Sequence, residues 1–318
     1  MSINTVITIV LSVSVLGLGF AAIPCSAEEP VPKGAPNAEK MGWRLGVQAF
    51  SFYRYPFFDA VDMVESLGLH YIEMIPFQRL SKDNRKIRTD HNMPPEVQEA
   101  VKAKLKQAGI RVVTYGVVDL PNDETECRKV FDFAKSMGIE TIISEPPYEA
   151  LDLIDKLCAE YEINVAIHNH PEPSLYWNPD SVLKACEGRS KRIGFCADTS
   201  HWRRSGVDVL ETLKKCEGRL ITFHFGDVSG KDIESLRASY KEGKKKDMVA
   251  AINKIPNVVF GEGDGDMVGW LAELKRQGFQ GMFCIESFFE HKADIAMSKM
   301  AKSIAYFDSV AARLAAED

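Results

Sequence analysis

Residues 183–196, LKACEGRSKRIGFC, and residues 213–225, LKKCEGRLITFHF, are two versions of one sequence pattern that begin thirty residues apart. In each version an amphipathic stretch leads to a glycine, and a short apolar run follows. A glycine in this position is typical of a helix C-terminus, and a short apolar run is typical of a buried strand. The repeat therefore predicts consecutive helix–strand units.

The same pattern recurs along the chain and predicts eight strands, most of them starting 24 to 30 residues apart. This spacing is the length of one βα unit. The predicted strands are 45–52, 69–75, 110–118, 139–144, 163–168, 193–198, 220–225 and 281–287. Eight such units indicate an α/β fold of the (β/α)8 TIM-barrel type. An open, doubly wound sheet is the alternative, because alternation alone does not show that the sheet closes.

Two connections are longer than a βα unit requires, at residues 77–95 and 229–257. Both follow predicted strand ends, which is where barrel enzymes carry their active-site loops.

The first 27 residues carry no charged side chain, and the apolar run over 6–23 is followed by Pro24 and the small residues of 25–27. This pattern predicts a secretory signal peptide over 1–27 and a periplasmic or extracellular protein. An uncleaved anchor or a lipid on Cys25 is the alternative, because the run approaches the ~20 residues that span a bilayer. Membrane association is expected only in that case. Residues 28–40 are interpreted as a linker and 41–318 as one barrel domain.

The composition, with 45% hydrophobic and 26% charged residues, is that of an ordinary globular protein. A net charge of −6 disfavours nucleic acid as a partner. The cysteines form no CxxC pair, so neither a zinc ribbon nor a disulfide framework is indicated. We expect free, buried thiols, with a disulfide between Cys186 and Cys216 as the alternative in an exported protein.

Four of the seven histidines fall within 57 residues, each at or just after a predicted strand end: His168, His170, His201 and His224. Asp198 and Glu286 occupy equivalent positions. The C-terminal ends of barrel strands converge, so these side chains are expected to meet.

A site for one divalent metal ion is predicted from His168, Asp198, His224 and Glu286. Two imidazoles and two carboxylates suit Mn²⁺, Co²⁺ or Zn²⁺ better than Ca²⁺, and Mg²⁺ remains an alternative. Glu145, which follows another strand, is a fifth candidate ligand or else a surface carboxylate.

Several motifs resemble the sugar phosphate isomerase/epimerase-like family, whose xylose-isomerase-type TIM barrel is shared with tagatose 3-epimerase-like enzymes and endonuclease IV. The resemblance covers about residues 43–307. The resemblance rests on five motifs: AIHNHPEP at 166–173, CADTSHW at 196–202, HFGD at 224–227, GEG at 261–263 and CIES at 284–287.

The resemblance implies a divalent metal held by a residue of the fifth strand together with Asp198, His224 and Glu286, and it places His201 beside the substrate. The epimerases commonly have Glu on the fifth strand, where this sequence has His168. That difference weakens a direct transfer of the two-carboxylate epimerase mechanism. Glu145 is the candidate to replace the missing carboxylate.

Such a site favours removal of a proton beside a sugar carbonyl, because a divalent cation stabilises the resulting enediolate. Glu286 or Glu145 is the candidate base, and His170 or His201 is the candidate acid or oxygen-binding group. Three further residues are candidates for substrate binding: Glu73, Trp202 and Asp227. For Glu73, an internal polar pair in a barrel layer is the alternative.

An exported enzyme is expected to act on a small unphosphorylated sugar or glycoside. We favour a lyase that cleaves 3-keto-glycosides by β-elimination, since one carboxylate of the epimerase pattern is missing and the family resemblance includes exported relatives similar to keto-glycoside lyases. A sugar isomerase or epimerase is the alternative. A non-catalytic sugar-binding module and an abasic-site nuclease are the rival classes, and homo-oligomerisation is left open.

Overall fold

The computed structural model describes residues 31–84, 86–240, 243–287 and 292–317, so the predicted signal peptide over 1–27 lies outside the described residues. Eight parallel strands pair in sequence order, and the last pairs with the first to close the ring. They are β1 (Arg44–Gln48), β2 (Tyr71–Met74), β3 (Arg111–Tyr115), β4 (Thr141–Ser144), β5 (Asn164–His168), β6 (Ile193–Asp198), β7 (Leu220–Phe225) and β8 (Met282–Ile285). The closed ring confirms the predicted TIM barrel and excludes the open sheet.

Helices surround the ring. They are α1 (Pro36–Lys40), α2 (Phe57–Ser66), α3 (Pro95–Gln107), α4 (Glu124–Met137), α5 (Leu151–Tyr161), α6 (Pro179–Cys186), α7 (Thr199–Ser205), α8 (Val209–Lys215), α9 (Gly230–Ser239), α10 (Lys245–Ile252), α11 (Met267–Arg276) and α12 (Ala293–Ala315). Two short 3-10 helices, Ala49–Phe52 and Tyr148–Ala150, come after β1 and β4. No helix among the described residues has the length and apolar character needed to cross a membrane.

The sequence of α4 shows how these helices are specified. The Asp123 carboxylate accepts hydrogen bonds from the backbone N–H groups of Thr125 and Glu126, which caps the N-terminus. Gly138 ends the helix at a φ of 71°, a left-handed conformation that favours glycine. Apolar side chains recur at helical spacing on the buried face: Cys127, Val130, Phe131 and Ala134. Such a stripe packs the helix against the barrel.

Predicted strand bounds match β6 and β7, while other predicted strands are too long. The Gln48 side chain accepts a hydrogen bond from Phe50 N, and the chain turns into a 3-10 helix where the strand was predicted to continue. Ile75 and Val118 follow β2 and β3 and are 1% and 5% exposed. Because these apolar loop residues are buried like strand residues, the sequence pattern predicted strands longer than those observed.

Residues 36–40, which were interpreted as part of a linker, instead form α1 and belong to the barrel domain. The backbone N–H groups of Asn37 and Ala38 donate to Asp308 Oδ1 over 2.7 and 3.0 Å. Ala38 is fully buried in the hydrophobic core. Ala38 and the preceding Ala35 provide a small apolar surface, and α1 packs on α12.

The two long connections lie where they were predicted. The first joins β2 to α3. The second contains α9, α10 and a short antiparallel ribbon formed by Asp227–Val228 and Asn257–Val258.

The core has an outer layer between strands and helices and an inner layer within the ring. In the outer layer, the ring of Phe283 lies 5.5 Å from Trp43 and 5.1 Å from Phe307. The six cysteines of the described residues are all free and buried, which confirms the expected thiols: Cys127, Cys158, Cys186, Cys196, Cys216 and Cys284.

Candidate metal centre and substrate cavity

Strand geometry directs the predicted ligands into the barrel. Side chains two residues apart on a strand face the same side. Ala166 and Cys196 pack inside the ring, and His168 and Asp198 come two residues later on the same strands. The β6–β7 register places Asp198 opposite His224. Three neighbouring strands thus present metal-binding side chains at their C-terminal ends.

The structure brings together the four predicted metal ligands, His168, Asp198, His224 and Glu286, with one ligand atom of each within 4.8 Å of the others. The first three are 1% exposed and Glu286 is 8% exposed. Buried polar atoms normally have hydrogen-bond partners. His168 Nε2, His224 Nδ1 and Glu286 Oε2 make no hydrogen bond, and His224 Nδ1 lies 2.9 Å from Glu286 Oε2. A common cation would satisfy these three atoms, so the residues fit a divalent metal.

Asp198 is positioned by α7 and by the loop after β5. Its Oδ1 accepts hydrogen bonds of 2.7 Å from Ser200 Oγ and from His201 N. Asn169 fixes its backbone, accepting from Asp198 N over 2.8 Å and donating to Asp198 O over 3.0 Å. Burial opposes ionisation, but the neighbouring histidines, led by His201, lower the pKa of Asp198. The second oxygen, Oδ2, therefore faces His168 and His201 as a carboxylate.

Each imidazole of the cluster contacts an outer carboxylate through its other nitrogen. His168 Nδ1 lies 3.0 Å from Glu145 Oε1, and His224 Nε2 lies 2.8 Å from Glu73 Oε1. A carboxylate that accepts from one ring nitrogen fixes the proton there and leaves the lone pair on the other. In both cases the other nitrogen makes no hydrogen bond and faces a carboxylate of the cluster: His168 Nε2 lies 3.8 Å from Asp198 Oδ2, and His224 Nδ1 lies 2.9 Å from Glu286 Oε2.

Glu145 contacts a second histidine as well. Its Oε1 accepts from His170 N over 3.2 Å and also contacts His170 Nδ1. Burial raises the pKa of Glu145, but the hydrogen bonds from His168 and His170 outweigh burial and lower this pKa to about 2. Glu145 is thus an ionised acceptor beside the four-residue cluster.

The other two predicted catalytic histidines differ in environment. Burial lowers the pKa of His201 to about 4, which makes it a neutral imidazole at pH 7. Arg204 Nη1 lies 3.4 Å from His201 Nδ1, so the ring proton is on Nε2. The His170 side chain is 51% exposed, and its ring centroid lies 4.4 Å from that of His168.

A cavity of about 290 Å³ opens beside the cluster. Its lining consists of two ligands, two other polar residues and four apolar residues: Gln48, Phe50, Ile75, Phe77, Val117, His168, His170 and Glu286. Phe77 was not predicted from the sequence, although it lies in the long connection after β2.

Three predicted substrate-binding residues do not line this cavity. Glu73 is fully buried behind His224. Trp202 is fully buried, with its ring 6.2 Å from that of Phe195. Asp227 accepts from Gly261 N and Gly263 N and holds the GEG loop.

Sequence reasoning also missed a buried polar network behind the cluster. Arg204 Nη2 donates to Ile255 O and Asn257 Oδ1 over 2.8 and 2.5 Å. Asn257 Nδ2 donates to Glu286 O over 2.8 Å. The ribbon thereby fixes the backbone at Glu286, and no sequence pattern pairs these distant residues.

The family profile described as xylose isomerase-like TIM barrel matches residues 61–309. A solved structure of an uncharacterized protein from Parabacteroides distasonis is 27% identical, with a TM-score of 0.61, and the alignment covers 82% of this chain and 98% of that one. A D-tagatose 3-epimerase-like protein is 16% identical, with a TM-score of 0.58 and coverage of 84% and 98%.

A structure described as the probable 3-DHS dehydratase AsbF from Bacillus anthracis is 17% identical, with a TM-score of 0.59 and coverage of 81% and 97%. The similarity to the epimerase-like protein and to AsbF shows a shared fold and nothing further. No curated protein sequence matches the chain.

Proposed function

Because the chain belongs to the xylose isomerase-like TIM barrel family, we propose that it is a divalent-metal-dependent enzyme that removes a proton beside a sugar carbonyl, and that it cleaves 3-keto-glycosides by β-elimination. The observation that carries the proposal is the cluster of four buried metal-binding side chains beside the cavity.

The donor set supports the metal. His168, His224, Asp198 and Glu286 would hold it, and the two carboxylates would balance the charge of a divalent cation. Mixed imidazole and carboxylate donors suit Mn²⁺, Co²⁺ or Zn²⁺, with Mg²⁺ as the harder alternative. When bound, the cation acts as a Lewis acid that stabilises the negative charge on the carbonyl oxygen.

The cavity supports a monosaccharide ring as the bound unit. A volume of about 290 Å³ is at the small end of the range for ligand pockets. Gln48 and His170 offer polar atoms for hydroxyl groups, and Phe50 and Ile75 offer apolar contacts for a ring face.

In the proposed reaction, the Glu286 carboxylate takes the proton from C2 of the 3-keto sugar, and the C2–H electron pair moves to the C3 carbonyl oxygen. The carbonyl then re-forms, a C1–C2 double bond is made and the C1–O bond breaks. The aglycone oxygen takes a proton from His170. The products are a 2-hydroxy-3-keto-glycal and the free aglycone, with no co-reactant consumed.

The carboxylate count supports elimination over epimerisation. Removing and returning a proton on opposite faces of a sugar requires an acid/base group on each face. Among the described residues that line the cavity, Glu286 is the one carboxylate. Glu145 is engaged with two histidines.

Epimerisation or isomerisation of an unphosphorylated ketose is the second candidate. The contact between Glu145 and His170 favours it, because His170 lines the cavity and the pair would be a second acid/base group. For either activity we propose a location outside the cytoplasm, on the evidence of the predicted signal peptide alone.

The test uses the chain from Glu28 onward. Bound metal is quantified by mass spectrometry, and 3-keto-glucosides and free ketoses are then incubated in D₂O with the metal-loaded protein. Metal-dependent release of the aglycone supports the lyase. Deuterium exchange without release would assign an isomerase or epimerase instead.

Glu286→Gln provides the mechanistic comparison, with Glu96→Gln on the exposed surface of α3 as the matched control. With saturating metal and the bound metal quantified in each variant, we expect the first variant to lose turnover while still binding sugar, and the second to behave as wild type. A wild-type protein that binds sugar with neither exchange nor release would be a sugar-binding module.

A further inference from the structure

Exposed aromatic rings are concentrated at one edge of the cavity. Among the described residues, large hydrophobic side chains are exposed at four positions: Val31, Tyr53, Phe77 and Leu175. Tyr53 and Phe77 are 40% and 48% exposed and flank Phe50. The Phe50 ring stacks on Tyr53 at 4.9 Å and meets Phe77 edge-on at 5.6 Å. We call these three residues the aromatic rim.

The rim is continuous with the cavity, because Phe50 and Phe77 belong to both. The cavity has room for one sugar ring, so the group attached to C1 of the sugar lies outside the cavity, against its edge. We propose that the aromatic rim binds the aglycone and that the substrates are glycosides of planar aromatic alcohols. This inference rests on the proposed function and specifies its substrate class.

Two oxygens of the rim already accept hydrogen bonds. Arg54 Nε donates to Tyr53 Oη over 3.1 Å, and Arg88 Nη1 donates to the Phe77 carbonyl over 3.2 Å. A second sugar would need partners for its hydroxyl groups, whereas an aromatic ring needs ring faces and edges. The offset and edge-on geometries within the rim are those that a further aromatic ring adopts.

Leaving-group chemistry agrees with this choice. A phenol has a pKa near ~10, so a phenolate leaves far more readily than an alkoxide.

The binding test uses glucosides that lack the 3-keto group and cannot be eliminated. Titration calorimetry compares phenyl β-glucoside, methyl β-glucoside and cellobiose on the metal-loaded protein. We expect phenyl glucoside to bind most tightly, with its advantage over methyl glucoside reduced roughly three- to tenfold by Phe77→Ala or Tyr53→Ala. Tyr53→Phe keeps the ring and should keep the preference. Val31→Ala, which removes an exposed apolar side chain elsewhere, should not change it.

A kinetic test separates the inference from the proposed function. With the corresponding 3-keto-glucosides, Tyr53→Ala, a change outside the cavity lining, should raise KM for the phenyl compound and leave that for the methyl compound unchanged. Equal affinity for phenyl and methyl glucosides in the wild type would overturn the rim assignment, as would tighter binding of cellobiose. An intact phenyl preference without cleavage of any keto-glucoside would overturn the proposed function and retain an aromatic-binding rim.

Discussion

His224 Nε2 and Glu73 Oε1 lie 2.8 Å apart although the two residues are 151 positions apart in the chain. Both side chains are fully buried. The contact crosses the barrel from β7 to β2, and Glu73 Oε2 also accepts from Thr114 Oγ1 over 2.7 Å. A carboxylate held in this way keeps a proton on Nε2 and leaves Nδ1 of His224 as a metal ligand.

Glu73→Gln should weaken metal binding by roughly 10- to 100-fold, because the amide keeps the shape but loses the charge that favours the required tautomer. Metal affinity is measured by competition with a chelator of known affinity. Thr114→Val is the comparison, since it removes a donor to the same carboxylate but keeps the bond to His224. Equal affinity in Glu73→Gln and wild type would contradict the positioning role.

Asp198→Asn and His224→Ala should each lose bound metal, because each change removes a ligand atom from the four-residue cluster. Metal content per chain is measured by mass spectrometry after dialysis, and circular dichroism confirms that both variants fold. Full occupancy in both variants would refute the site.

Glu145→Gln distinguishes a positioning group from a base. The contacts with His168 and His170 predict lower metal affinity, with near-normal kcat once metal is saturating. Titrating activity against metal concentration separates the two effects. If kcat falls by orders of magnitude at full metal occupancy, Glu145 is the base, as one of the sequence interpretations held.

The four clustered residues could be predicted from the sequence because each lies at or just after a strand end and barrel strands converge there. Glu73 and Glu145 were recognised as candidates, but their contacts with His224 and His168 depend on how the ring closes, which local pattern does not encode. Phe77 could not be predicted because it lies in a connecting segment that has no hydrophobic periodicity. Asp227 is a substrate-binding candidate within the motif HFGD, and the motif alone does not show the loop that Asp227 binds.

Asp227→Asn should lower the free energy of unfolding by about 1–3 kcal/mol, because an amide cannot replace a buried carboxylate that accepts three backbone N–H bonds. These bonds come from Val228, Gly261 and Gly263 over 2.9 to 3.2 Å. Urea denaturation measures the loss, and metal content should be unchanged. Unaltered stability with a raised KM for sugar would instead support the substrate role predicted from the sequence.

Metal removal should destabilise the barrel. Without a cation, only the histidines of the cluster offset the charge of its two carboxylates, and three buried polar atoms make no hydrogen bond. A metal at a thousand times its Kd adds about 4 kcal/mol to the free energy of unfolding. For a domain of this size that corresponds to a rise in Tm of about 10 °C.

Differential scanning calorimetry with chelator and then with Mn²⁺, Co²⁺, Zn²⁺ or Mg²⁺ measures this shift and ranks the metals. The Asp198→Asn variant serves as the control, because its Tm should be nearly independent of metal. If wild type and this variant respond equally, the cations act elsewhere on the protein and the cluster is not the metal centre.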